Sequence, residues 1–229
     1  MEHFSWFTLM RLGPYGHVIG AMLVVALVAL ASYRMKRHLA TSESVLPEGK
    51  FTLSNVFEIL TVDFLLDLFT GIFETRERAE RYFPLLATSF VFILSINLMG
   101  LVPGFMSPSA NFNTTVACSI VIFVMYNYYG FQEHGLGYLK QFMGPVLWLA
   151  PLMIVIELVS HIVRVASLSL RLFWNMTGDH LVISIFTNLT HLVVPALFLA
   201  LGIFVSFLQA FVFTILSTIY IALAVSHEH

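Results

Sequence analysis

The stretch VLWLAPLMIVIELVSHIVRVASLSLRLFWNMTGDHLVISIFT, residues 146 to 187, contains only Glu157, Arg164, Arg171 and Asp179 as acidic or basic side chains. A bilayer core about 30 Å thick is crossed by roughly 20 apolar helical residues, and this run is far longer. A helix of that length fits a bilayer by tilting strongly. The segment NLTHLVVP at 188 to 195 supplies a plausible break, and a second apolar run continues to residue 225. The spacing predicts two long tilted helices, roughly 146 to 187 and 193 to 225, forming a hairpin at 146–225.

Working toward the N-terminus, residues 15 to 33 (YGHVIGAMLVVALVALASY) form a first span, too long for a signal-peptide core and without a convincing cleavage site. Residues 82–131 read as a helical hairpin with spans at 82 to 102 and 114 to 131. The joining loop PGFMSPSANFN at 103 to 113 has the prolines, glycine and asparagines of a turn. Segment 34–81 carries Arg34, Lys36, Arg37, Lys50, Arg76, Arg78 and Arg81, so the positive-inside rule makes it cytoplasmic. Within it, residues 53 to 75 are amphipathic but hold Glu58, Asp63, Asp67 and Glu74, which places them at the interface or against a partner. The expected fold is an all-α integral membrane protein of about five membrane segments, one membrane domain over 1–229. An odd number of spans puts the termini on opposite sides, the N-terminus across the membrane from the cytoplasmic 34–81 segment and the C-terminus cytoplasmic.

Composition agrees. The chain is 59% hydrophobic and 10% charged, where a soluble domain carries about 25% charged residues. A formal charge of -2 gives no positive excess for phosphate backbones, so no nucleic-acid partner is expected. The single cysteine, Cys118, excludes an internal disulfide and a cysteine-rich zinc site. No GxxxxGK[ST] loop, HExxH or GxSxG motif occurs, so neither a nucleotide site nor a hydrolase site is expected in this chain.

The ionisable groups of the long run are patterned. Glu157, Arg164 and Arg171 recur every seven residues, a step that drifts only about 20° around a helix, and His161 and Asn175 join the same stripe. A charge at the bilayer centre costs about 2.5–3.5 kcal/mol on insertion scales, so such groups face a partner or a water-filled cavity. Two structural alternatives stand for Arg164: an internal pair with Glu157, or snorkelling. Arg171 has no acid within four residues and cannot be neutralised by deprotonation. Its counter-charge therefore comes from elsewhere.

The last helix carries a polar line, Gly202, Ser206, Gln209, Phe213, Ser217 and Tyr220, which reads either as close packing through small residues or as a polar lining. Gln209 is the member expected to face Arg171. Asp179 and His180 read as a proton-relay pair or as groups hydrogen-bonded at a wet helix section. Glu157 and His161 alone make a poor metal site, and none is expected. Two other functions fit a polar stripe: a secondary transporter binding an anionic substrate at Arg171, and a voltage sensor. The absence of an inverted repeat weighs against the first, and the sparse arginines against the second.

The residues SLSLRLFWNMTGDHLV at 167 to 182, with ELVSHIVRVAS before them and LQAFVFTILSTIYIALAVSHEH near the end, resemble subunit a of the F-type ATP synthase. The loop PSANFNTT and the span carrying NLMGLVP extend the resemblance over most of the chain from about residue 50. The resemblance implies a membrane stator that conducts protons through two offset half-channels. It implies a ring of c subunits as rotor, b-type peripheral stalk subunits, the lipid bilayer of a bacterial inner membrane, and no cofactor. Arg171 then matches the essential stator arginine and Asn175 the asparagine one turn on. Glu157, Gln209 and His180 match polar positions of the path, with Arg164, His161, Asp179 and Ser206 beside them. Three positions depart from the pattern: Trp174 stands for a glycine, Val165 for a proline, and Gly202 for a histidine or acid. Asp179 could supply the group that Gly202 lacks.

Overall fold

A computed structural model describes residues 15–41, 64–102, 105, 107–135, 137–138, 150–189 and 193–225. Among these, the regular elements are six α-helices and one short 3-10 turn: α1 (Gly16–Thr41), α2 (Phe64–Phe73), α3 (Arg76–Leu101), the turn Pro108–Ala110, α4 (Phe112–His134), α5 (Ala150–Leu189) and α6 (Val193–Val225). Five of them are long and apolar enough to cross a membrane. Lipid offers backbone groups no hydrogen-bond partner, so a spanning segment satisfies them internally as a helix. The chain is an all-α integral membrane protein.

The span boundaries differ from the sequence reading in informative ways. α3 begins at Arg76 rather than at 82, so its first turn is charged. Arg76 bonds Glu80 one turn on at 2.9 Å, and Arg81 reaches Glu133 at the end of α4 at 3.5 Å. Both pairs are solvent-facing and satisfy charges at the ends of the two helices. α4 is likewise longer than predicted, opened by Asn111, whose side chain accepts the Asn113 N–H at 3.0 Å. α5 holds 40 residues, about 60 Å at 1.5 Å per residue, and α6 holds 33. Both exceed an upright crossing. Residues 146 to 149 and 190 to 192, part of the predicted hairpin and its break, lie outside the described residues, as do 53 to 63 of the amphipathic stretch.

Packing centres on α6, which touches α2, α3, α4 and α5. Its inner face is Gly202, Ser206, Gln209, Ala210, Phe213, Thr214, Ser217, Thr218 and Ile221. Thr214, Ser217 and Thr218 return their hydroxyls to carbonyls one turn back at 2.8 to 2.9 Å. Buried polarity is thereby satisfied inside the helix, and neighbours can approach closely. For Ser217 the packing alternative holds.

α2 corrects an expectation. Its apolar face, Leu65, Phe69 and Phe73, is buried against this same chain. Phe64 stacks on Phe211 at 5.7 Å and Phe73 meets Tyr82 at 5.2 Å. The apolar face of α2 is thus covered by α3 and α6 of the same chain, not by a separate partner. Glu74 turns the chain between α2 and α3 with φ 62°, left-handed geometry that ends the helix abruptly.

At the other end of α3, Asn97, Ser107 and Ser109 form a buried network. Ser109 donates to Asn97 Oδ1 at 2.8 Å, Ser107 and Ser109 share a 2.7 Å bond, and Ser107 donates to the Ile96 carbonyl at 3.2 Å. Gly100 lies against it. A Cβ there would run into Met176 of α5 and into Ser107, so glycine is what lets α3 and the 3-10 turn close on α5.

Candidate functional site

Helix α5 carries the ionisable groups in two clusters with an arginine between them. Toward its N-terminus, His161 is buried and its Nδ1 lies 2.7 Å from the Tyr126 hydroxyl on α4. Its Nε2 approaches Glu157 Oε1 at 3.9 Å, with the glutamate side chain more than a third exposed. Arg164 does not pair with Glu157. Its guanidinium sits over the Tyr220 ring of α6, 5.3 Å from the centroid, a cation–π placement that offsets burial. Beside this cluster the Tyr138 hydroxyl donates to Asn127 Oδ1 at 3.2 Å, and burial pushes that hydroxyl up to about 12.

Toward the other end, Asn175 donates through Nδ2 to Gln209 Oε1 at 3.2 Å, joining α5 to α6. The Gln209 side chain is buried, and its Nε2 has no hydrogen-bond partner among the described residues. Ser206 is buried one turn earlier on α6. Asp179 and His180 are half-buried one turn beyond Asn175. Between the clusters, Leu168 and Leu172 are buried in the hydrophobic core and close the interior.

Arg171 points outward. It is exposed, with no ion pair or hydrogen bond among the described residues. The expectation that Gln209 faces Arg171 is therefore corrected. Four residues advance a helix by about 40° past a full turn, enough to turn Asn175 into the α5–α6 seam and leave Arg171 outside it. Trp174 is also exposed beside it. Position 202 is settled differently from a polar site: a Cβ on Gly202 would lie 2.8 Å from Leu101 Cδ2 of α3, so an apolar side chain fills that space.

Tyr126 is the site-adjacent residue that the sequence reading missed. Its only sequence signal is the run YNYY at 126 to 129, which reads equally as an interfacial aromatic belt.

Among the described residues, a bundle of five helices long and apolar enough to cross a membrane, with an outward arginine at the middle of the longest and polar clusters on either side, defines a polytopic membrane protein. Residues 17–222 match the family model described as ATP synthase A chain. The chain is 46% identical over 221 residues to the ATP synthase subunit a of Bdellovibrio bacteriovorus, covering 94% of this chain and 93% of that one. It is 43% identical over 235 residues to ATP synthase subunit a 1 of Syntrophotalea carbinolica, covering 100% and 95%. A third relative, the ATP synthase subunit a of Citrifermentans bemidjiense, is 51% identical over 153 residues, 67% of each chain. The chain belongs to the ATP synthase subunit a family, a membrane component of ATP synthesis and proton transport.

Proposed function

We propose that this chain is the stationary half of a rotary proton path, with Arg171 as the fixed charge that separates two offset half-channels. The observation that supports the reading is the placement of Arg171: outward, unpaired among the described residues, and between two polar clusters divided by buried leucines. The moving partner is a ring of c subunits, each with a carboxyl at mid-membrane; b-type subunits form the peripheral stalk.

A protonated carboxyl crosses lipid far more cheaply than an ionised one. Beside Arg171 the ionised form is favoured, so the carboxyl releases its proton there. Rotation then brings it to the other half-channel, where it is reprotonated. The guanidinium also raises the energy of a hydronium next to it, which stops protons from leaking straight between the two sides. Each proton crossing contributes about 2.3 kcal/mol per 100 mV.

Glu157, His161 and Arg164 line one half-channel. Asn175, Gln209, Ser206, Asp179 and His180 line the other, with Asp179 supplying the ionisable group absent at Gly202. The N-terminus is periplasmic and the C-terminus cytoplasmic in a bacterial inner membrane. The test is ATP-driven acidification of inverted vesicles carrying the whole complex. Arg171→Ala should abolish pumping with assembly intact, and pumping at the native rate in that variant refutes the reading.

A further inference from the structure

The Glu157 cluster contains a group with no role so far. Tyr126 is almost fully buried, and its hydroxyl makes a 2.7 Å bond to His161 Nδ1. The histidine ring is also held from a second side: Phe123 meets it edge-on at 5.8 Å and 81°, and Phe123 and Tyr126 are themselves perpendicular at 5.4 Å. A flipped ring would put a carbon where Nδ1 now meets the phenol. The ring plane and the identity of the nitrogen facing Glu157 are thus set by α4.

Two proton arrangements satisfy the short bond. If the phenol donates to Nδ1, the ring hydrogen sits on Nε2 and points toward Glu157 Oε1 at 3.9 Å. If Nδ1 donates to the phenol, Nε2 turns a lone pair toward a carboxylate, acceptor against acceptor. The first is favoured whenever Glu157 is ionised. Arg164 does not compete for the carboxylate, because it is stacked over Tyr220. Among the described residues, the titratable and charged groups around Glu157 and His161 are Arg164 on their own helix, Tyr126 on α4, Tyr138 beyond it and Tyr220 on α6. Of these, the buried phenol of Tyr126 is the one bonded to the ring.

We propose that Tyr126 is a positioning residue of the ion path: its hydroxyl locks His161 in the tautomer whose Nε2–H serves the Glu157 carboxylate. The inference rests on Glu157 belonging to a half-channel. An N–H rather than a lone pair facing a carboxylate is the electrostatically matched arrangement, so Tyr126 fixes which side of the imidazole the Glu157 carboxylate meets. Without the phenol both tautomers are populated, and the matched Nε2–H no longer faces Glu157 in every copy.

The experiment is ATP-driven pumping by the complete complex in inverted vesicles, recorded against pH. In Tyr126→Phe the midpoint of the profile should move upward by on the order of one pH unit. His161→Leu should move it equally, and neither change should shift the profile further in a Glu157→Gln background. An unmoved midpoint in either variant overturns the proposal, as does a uniform fall at every pH or a shift that survives Glu157→Gln. Each variant tests the idea independently, should the other fail to assemble. Arg171→Ala in the same vesicles separates the two levels of argument: if it leaves pumping intact, the rotary reading fails; if it abolishes pumping and Tyr126→Phe does nothing, only the role of Tyr126 fails.

Discussion

Replacing Gly100 by alanine adds one carbon where α3 meets α5 and the turn before α4. That carbon would overlap the Met176 methyl of α5 and the Cβ of Ser107 in the turn before α4. The two neighbours differ in how they can respond. Met176 has a flexible end but is itself buried, so it moves only by displacing other core atoms. Ser107 is anchored by bonds to the Ile96 carbonyl and to Ser109, and yielding would break at least one of them. Overpacking costs about 1–3 kcal/mol, and a lost hydrogen bond adds about 1 kcal/mol. The sum is about 2–4 kcal/mol of destabilisation. Because Met176 directly follows Asn175, its displacement should also disturb the Asn175–Gln209 bond and slow pumping. The assay is the thermal midpoint of the detergent-solubilised complex, with pumping measured on the same preparation. Gly100→Ala should lower both, and adding Met176→Ala should cost less than the sum of the single changes, since it vacates the contested space. A native midpoint in Gly100→Ala, or strict additivity in the double variant, refutes the packing argument.

Gln209→Leu should destabilise by about 1 kcal/mol, because it leaves the half-buried Asn175 donor without its acceptor. The double variant with Asn175→Leu should be less than additive in thermal midpoint, whereas additivity would mean that the two side chains do not act as a pair. At alkaline pH the folded chain resists ionisation of Tyr138, whose hydroxyl is pushed up to about 12 against roughly 10 when unfolded. That contribution is complete below pH 10 and is lost as the pH rises toward 12. Tyr138→Phe should flatten this part of the stability profile, and an unchanged alkaline slope would count against the burial that raises the group.

Much of the architecture is legible one residue at a time. Transfer of each side chain into hydrocarbon is a local property, so runs of Leu, Val, Ile and Phe identify the five spanning helices without knowledge of their neighbours. The period of α5 is local too, which is why Glu157 and His161 are recognisable as a pair one turn apart. Arg171 stands out for the same reason: a permanent charge in an apolar run with no acid in reach demands a partner outside the helix.

What lies across the gap between helices is not a local property. Gln209 was expected opposite Arg171, and the 40° difference between positions 171 and 175 gave it Asn175 instead. The pairing of Arg81 in the second turn of α3 with Glu133 at the end of α4 joins positions 52 apart, and no run of consecutive residues announces it. Tyr126 acquires meaning only because α4 runs antiparallel to α5 and delivers a phenol to His161. Apolar content and helical period are written into consecutive residues, so the sequence by itself determined the spans and the arginine. The rotation of each helix about its axis depends on close approaches such as Gly100 to Met176, and that packing alone decided which polar groups meet.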